Sequence, residues 1–422
     1  MFTDVAEALQ WVMGRRSRNH TVAYFAEAMA AAGSPQEAFR TVHVTGTNGK
    51  GSTCYYLNHI LQSAGLKTGL FTSPHLVTHY DRMRINDACI EPEVFMNLLN
   101  RHLDLIEQYD LGMFEIDVLL ACTWFKEEQA DIAVIEAGLG GRGSPTNIMK
   151  QPALEIITTV GYDHMERLGN TLEAIAEEKS GIIMPGSTIL TGNLLAGPLA
   201  VVQDAASAAK AVHVSYEPYT DLGPGRFSWR HTEYELSTLA EYQKANASLA
   251  LQAAALLGLD PSSDMVREAV RTTLWAGRFE TACRKPLVVL DGAHNTEGIG
   301  ALCASLKNLP RPLVIVYSAL KDKQGLAMAD MLMEHADEFI VTEFSMYRAD
   351  TAEHLAEHGG LVISDWHEAI RTAVRRAGQN GSVLICGSLY FISDVRGWLE
   401  QNPGLFTEKQ ENTGCEESRA AL

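Results

Sequence analysis

Apolar residues in this chain fall in short runs, bounded by glycine and separated by stretches long enough for helices. TVHVT (41–45), KTGLF (67–71), DIAVIEAG (131–138), ALEIITTVG (153–161) and STILTGN (187–193) read as strands, with amphipathic segments such as STCYYLNHILQSAG between them. Near-continuous apolar runs alternating with helices describe βαβ units around a mainly parallel sheet. After Trp275-Ala276-Gly277-Arg278 a second series follows: PLVVLDGAH, PLVIVYSAL, EFIVTEF, LVISD and SVLICGSLY. The pattern predicts two α/β domains, 1–276 and a smaller 277–408, with the boundary at the small-residue step Ala276-Gly277. The polar end of the chain, without apolar periodicity, predicts a disordered tail over 409–422.

Composition narrows the class of protein. A chain of 422 residues that is 46% hydrophobic can bury two cores. Its net charge of -18 argues against nucleic acid or an anionic membrane as partner, so a small anionic substrate needs a local basic pocket. The seven cysteines are scattered and form no C-x-x-C pair, which suits a reducing cytoplasm. MFTDVAEALQWVMGRR has no basic leader followed by an apolar run, and no segment is long enough to span a membrane. No unusual apolar helix stripe stands out, and a monomer is expected.

The chemistry begins at TGTNGKGST (45–53), between a strand and a helix. Glycines there let the backbone approach an anion at the helix N-terminus. Gly46, Thr47, Asn48, Gly49, Lys50, Gly51 and Ser52 are therefore expected to cradle phosphates, with Lys50 neutralising them and Ser52 or Thr53 near a Mg²⁺ ion. The spacing departs from the strict Walker form: Val44 stands where its first glycine belongs, and Gly51 separates the lysine from the hydroxyl. Ser73 follows KTGLF, Glu136 ends DIAVIE and His164 follows ALEIITTVG, all at carboxyl ends of expected parallel strands, where open α/β sheets bind ligands. Two oxygens and an imidazole make a reasonable Mg²⁺ set, although a capping carboxylate and a core histidine are ordinary alternatives. In TLEAIAEEKSGII, Leu172, Ile175, Ala176 and Lys179 share one helical face. Such a lysine either snorkels to water or, buried and neutral, can take up CO₂ as a carbamate. Asp291 ends PLVVLD and is followed by Gly292-Ala293-His294-Asn295, crowding polar groups at a second strand end.

GTNGKGS at 46–52 resembles the loop of the Mur ligase superfamily. With FTSPHL (71–76), FEIDVLLA (114–121), VIEAGLGG (134–141), Thr146-Asn147, Asp163-His164, EKSGII (178–183), AGRFE (276–280), DGAHN (291–295) and CGSLYF (386–391) in order, nearly the whole chain is similar to the folylpolyglutamate synthases and dihydrofolate synthases. The resemblance implies an α/β fold with a P-loop Mur-ligase-like central domain and a smaller Rossmann-like C-terminal domain. It implies that Ser73, Glu136 and His164 share one Mg²⁺ and that a carbamylated Lys179 helps hold a second. It further implies that Arg278 and Asp291 contact ATP across a domain gap, with Asn246 on the adenine side. By the same resemblance Phe114, Glu115, Asn295 and Ser388 serve the substrates, and His294 is the candidate base.

The implied reaction activates a carboxylate with ATP as an acyl phosphate, which the amine of L-glutamate then attacks. Catalysis would fall to Lys50, Lys179 and His294, and the partners are small molecules: ATP, a folate and L-glutamate. GLGGRGSPTN lacks the Asp usual in the family between Gly-Gly and Thr-Asn, carrying Arg142-Gly143-Ser144-Pro145 instead; this favours folate polyglutamylation over dihydropteroate ligation. A peptidoglycan-precursor ligase would need an N-terminal domain, and only about forty residues precede the loop. A nucleotide-switched binding protein would show switch loops and base-reading motifs, and none stands out.

Overall fold

The computed structural model describes residues 1–16, 18, 20–321 and 323–402; the tail expected at 409–422 lies outside the described residues. The chain divides into two compact units. Among the described residues one comprises Met1–Pro218 and Asn246–Val270, the other Tyr219–Ala245 and 271–402.

The first unit is built on an eight-stranded sheet. Its strands are β1 (Arg40–Thr45), β2 (Thr68–Phe71), β3 (Met83–Ile85), β4 (Ala88–Cys89), β5 (Ile132–Glu136), β6 (Leu154–Ile157), β7 (Thr188–Thr191) and β8 (Val212–Val214), in the order β4-β3-β2-β5-β1-β6-β7-β8. From β2 to β8 every pairing is parallel, and β3 and β4 add an antiparallel edge. Central strands buried on both faces explain the unbroken apolar runs: β2, β5 and β6 are buried throughout, and β1 is buried from Thr41 on. The helix Met113–Glu127 is enclosed on every side, with all residues from Glu115 to Phe125 buried. A helix apolar nearly all round belongs inside a core, and its two buried acids survive there because they are paired. Glu115 accepts the Gly112 N–H at 2.7 Å and meets His20 Nδ1 at 3.0 Å. Asp117 lies 2.7 Å from His79 Nε2.

The second unit carries a three-stranded antiparallel sheet, β9 (Thr220–Asp221), β10 (Arg226–Trp229) and β11 (Thr232–Glu235), and a six-stranded one. The latter comprises β12 (Arg278–Arg284), β13 (Leu287–Asp291), β14 (Leu313–Tyr317), β15 (Glu338–Glu343), β16 (Leu361–Asp365) and β17 (Ser382–Cys386), in the order β12-β13-β17-β14-β15-β16. Only β12 runs antiparallel to its neighbour. Its core joins Leu313, Ile315 and Tyr317 to Ile299, Leu302 and Met328. Each apolar run expected to form a strand contains one. The strands β3, β4 and β8 and the β9–β11 sheet lie outside those expectations, being too short, at two to four residues, for a period to show, and so does the seven-residue β12, whose register shifts break its alternation.

Candidate active site

In the first unit β2, β5 and β1 are neighbours in register, so the loops leaving their carboxyl ends share one edge of the sheet. The loop after β1 turns into the helix Lys50–Ser63 through Gly49, whose φ of +82° is left-handed and which offers no side-chain cap. Glycine is required there twice over, because a Cβ would also lie 2.4 Å from Asn246 Oδ1. At Gly46, φ is +155° and a Cβ would collide with Thr158 Oγ1. The loop is stapled to the segment after β6: the Thr47 N–H donates to Thr159 O (2.9 Å), the Asn48 N–H to Thr159 Oγ1 (2.8 Å), and Thr158 Oγ1 to Asn48 O (2.7 Å). Lys50 Nζ lies 3.3 Å from Thr47 O, folded back over its own loop. An α-helix leaves the N–H groups of its first turn without intrahelical acceptors, so this start offers donors of the kind an anion needs.

Glu136, 3% exposed, ends β5 and accepts the Ser73 N–H at 3.1 Å through Oε2. Cys54 is held between the two charges: burial pushes its thiol well above the ordinary value, Glu136 adds to the rise and Lys50 opposes it. The structure therefore gathers the Lys50 loop, Glu136 and Ser73 at one edge. Phe114 joins them, since a Cβ on Gly138 would lie 2.6 Å from Phe114 Cζ. Glu115 is engaged by His20 and the Gly112 N–H.

Lys179 is 2% exposed, so its amino end is covered rather than reaching water. It lies in the last turn of the helix Leu172–Ser180, and the loop after Glu136 packs on that turn: a Cβ on Gly141 would lie 2.7 Å from Lys179 O, and the Arg142 N–H donates to Glu178 O at 2.8 Å. The Arg142 guanidinium reaches Glu177 and Glu178 at 3.6 and 3.7 Å. Ser144 Oγ lies 2.8 Å from Thr146 Oγ1, which meets His43 Nε2 at 2.9 Å; burial pushes His43 down to about 4. His164 has a left-handed φ of +50° and lies 3.9 Å from Asp163 and 3.8 Å from Glu166.

Among the described residues no group of three or more His, Cys, Asp or Glu side chains is placed to hold a metal ion. Carboxylate and hydroxyl oxygens nevertheless suit a hard cation, and Thr53 Oγ1, in the first turn of the loop helix, is buried without a hydrogen-bond partner. That orphaned hydroxyl fits a divalent ion beside the loop.

In the second unit Asp291 ends β13, fully buried. Its Oδ2 accepts Tyr242 Oη at 2.5 Å and the Phe279 N–H at 2.9 Å, and its Oδ1 accepts the Ala293 N–H at 2.8 Å. Burial raises its pKa, while Tyr242, Arg278 and the two amides pull it down. These bonds hold Phe279 at a left-handed φ of +53°, directly after Arg278. Glu280 closes the same arch from below, accepting the Gly277 N–H at 2.7 Å and Arg396 Nε at 3.0 Å. Tyr242 and Arg396 escaped the sequence reading, and Glu280 was read only as part of AGRFE, because no periodicity or spacing marks side chains that bond across 49 or 116 residues. His294 Nδ1 lies 2.9 Å from Gly292 O, which fixes the proton on Nδ1 and makes Nε2 the basic nitrogen. Asn295 caps the helix Thr296–Leu306 by accepting the Gly298 N–H at 2.7 Å, and Ser388, 1% exposed, precedes the helix Leu389–Gln401.

Comparison with known proteins accounts for both units. The Mur ligase middle domain family matches residues 44–190, and the Mur ligase glutamate ligase domain matches 277–389. A Bacillus subtilis (strain 168) protein named dihydrofolate synthase/folylpolyglutamate synthase is 35% identical over 432 residues, covering 95% of this chain and 100% of its own. The chain belongs to this family. It is an ATP-dependent ligase of the folylpolyglutamate synthase/dihydrofolate synthase family, with the α/β architecture of the Mur ligases. The solved structure of Escherichia coli FolC in complex with ADP superposes with a TM-score of 0.86 at 27% identity, covering 95% of this chain and 98% of that one. A bifunctional folylpolyglutamate synthase/dihydrofolate synthase with Mn, AMPPNP and L-glutamate bound gives 0.84 at 26% identity, covering 94% and 98%. ATP and a divalent metal are thus the family's requirements. Among the described residues no helix is long and apolar enough to cross a membrane.

Proposed function

We propose that the chain adds L-glutamate to the γ-carboxylate of a reduced folate. The observation that carries this is the left-handed Gly49 start of the Lys50–Ser63 helix beside buried Glu136: an anion cradle next to a carboxylate, in a chain of the glutamate-ligase family. The folate carboxylate attacks the γ-phosphorus of ATP and ADP leaves. The amine of glutamate then attacks the acyl carbon and phosphate leaves. The loop from Gly46 to Ser52 orients the triphosphate, and Lys50 offsets charge on the transferring group. Nε2 of His294 takes the proton of the attacking amine. Mg²⁺, held by Ser73, Glu136 and His164, with a carbamate on Lys179 for a second ion, would supply Lewis-acid neutralisation of phosphate charge.

Arg278, Asp291 and Asn246 are assigned to ATP, and Phe114, Glu115, Asn295 and Ser388 to the substrates. Residues 1–276 take the ATP role and 277–408 the glutamate role. The burial of Lys179 supports the carbamate, which isotope-labelled bicarbonate would reveal by a new carbonyl signal absent from Lys179→Ala. A cytoplasmic monomer is inferred; the buried Cys54, Cys122, Cys303 and Cys386 are thiols, as a reducing compartment keeps them.

Joining dihydropteroate to glutamate is the second reading, because the Bacillus relative carries both names. The Arg142–Pro145 segment, without a carboxylate, favours polyglutamylation. Incubation with ATP, Mg²⁺ and labelled glutamate, offering tetrahydrofolate and dihydropteroate separately, tests this. Label is expected in the tetrahydrofolate product, with phosphate released only when both substrates are present. Label found only in the dihydropteroate product reverses the ranking, and phosphate release without either substrate marks a nucleotide switch.

A further inference from the structure

The strand that feeds the Lys50 loop carries a buried polar stripe that no step above uses. Along β1, Thr41, His43 and Thr45 alternate with Val42 and Val44, and all five are buried. Alternation puts the three polar side chains on one face of the sheet and the two valines on the other. Polar groups inside a core are costly unless each meets a partner there, so the stripe must be matched by something packed on that face.

All three side chains meet the same stretch of chain. Thr45 Oγ1 donates to Gly140 O, His43 Nε2 lies 2.9 Å from Thr146 Oγ1, and Thr41 Oγ1 lies 3.9 Å from Met149 Sδ. The Ala137 N–H adds a backbone bond to Val44 O at 2.8 Å. The stripe thus seats 137–149, from the residue after Glu136 to the far side of the Arg142–Pro145 turn. Of the three, His43 is the one whose contact continues into that turn. Thr146 Oγ1 lies 2.8 Å from Ser144 Oγ, which also accepts the Thr146 N–H at 3.4 Å, and Ser144 is 2% exposed. At the tip, a Cβ on Gly143 would meet nothing within 4 Å, so the turn takes its support from below. Its other side is tied to the Lys179 helix end, where Asn147 Nδ2 donates to Gly181 O at 2.9 Å.

The direction of the chain of bonds follows from the imidazole. His43 Nδ1 is buried without a hydrogen-bond partner. A buried lone pair left unmatched is better tolerated than a buried N–H, so the proton sits on Nε2, which donates to Thr146 Oγ1. Burial holds the ring neutral, with one nitrogen donating and the other bare. The Thr146 hydroxyl is then left to donate to Ser144 Oγ.

We infer that His43 is a positioning residue: through Thr146 and Ser144 it sets the pose of the Arg142–Pro145 turn, and with it the fit of the carboxylate acceptor. This rests on the glutamate-ligase reading above. Phosphate release by the full chain, with ATP, Mg²⁺ and glutamate at saturation, is titrated with tetrahydrofolate for wild type, His43→Leu, His43→Gln and Thr146→Val. Glutamine can place an N–H near the position of the imidazole Nε2, and valine is a near-isostere of threonine without the hydroxyl. The expected result is a tetrahydrofolate KM raised about tenfold in His43→Leu and Thr146→Val, as for the loss of one hydrogen bond, and within twofold of wild type in His43→Gln, with the KM for ATP unchanged throughout. A tetrahydrofolate KM within twofold of wild type in Thr146→Val overturns the inference and leaves the proposed function standing, and this variant decides even where His43→Leu does not fold. His43→Gln as impaired as Thr146→Val also overturns it, because the Nε2 donor is then not what the turn needs. Melting temperature falling while the KM values for ATP and tetrahydrofolate rise together marks the stripe as structural and overturns it as well. A wild type that releases no phosphate dependent on tetrahydrofolate and glutamate overturns the function and this inference with it.

Discussion

Each unit ends a central parallel strand in a buried carboxylate, Glu136 in the first and Asp291 in the second, and the surroundings of the two differ in kind. Around Glu136 the backbone makes the site: Gly46 and Gly49 have positive φ, and their missing side chains let the loop close on Thr158 and Asn246. Around Asp291 side chains make the backbone: the carboxylate, through Tyr242, Phe279 and Ala293, holds an arch in which a phenylalanine stands at φ +53°. The lesson is that one strand end is shaped by omission and the other by staples. Substitutions at the first should damage catalysis and spare the fold, whereas substitutions at the second should damage both.

The largest effect is expected at Lys50. Lys50→Ala should lower kcat/KM about 10³-fold in a phosphate-release assay while thermal unfolding stays within a degree or two, since its recorded bond is to its own loop at Thr47 O. Comparable losses of stability and activity would erase the contrast. Asp291→Ala should cost about 3 kcal/mol in denaturant unfolding, because three buried donors lose their acceptor, and the released arch should take activity with it. Gly49→Ala should cost about 10²-fold in activity, through left-handed strain and the contact with Asn246 Oδ1, with a smaller change in stability than Asp291→Ala. The smallest effect is at Tyr242→Phe, about 1 kcal/mol at neutral pH. Its sign with pH sharpens the comparison. The Tyr242 bond lowers the pKa of a carboxyl that burial raises, so removing it raises the carboxyl further. A carboxyl raised in the folded state loses stability as pH rises through that range, so the variant's deficit should grow toward neutrality and vanish in acid below the ordinary carboxylate value. A deficit unchanged across pH would remove the staple.

The same contrast explains what the sequence could disclose. TGTNGKGST was legible because glycine has few reasons to cluster between a strand and a helix, and each apolar run predicted as a strand holds one because buried parallel strands leave a plain signature. Phe114 and Asn246, taken from the family pattern, do stand beside the loops at Gly138 and Gly49. The staples were illegible: Tyr242 and Asp291 are 49 positions apart and Glu280 and Arg396 are 116 apart, and neither pair belongs to a motif whose spacing implies contact. Burial of Lys179 could not be decided from helical spacing alone, because an amphipathic face permits a lysine either to reach water or to be covered.

The close seating of Gly141 on the carbonyl of Lys179 ties the turn that follows Glu136 to the end of another helix. Bulk cannot be inserted at that contact without levering the two apart. Substitutions within Arg142–Pro145 should therefore be felt at Lys179 as well; on the function proposed above, that would make acceptor choice and metal binding drift together when this stretch is rewritten.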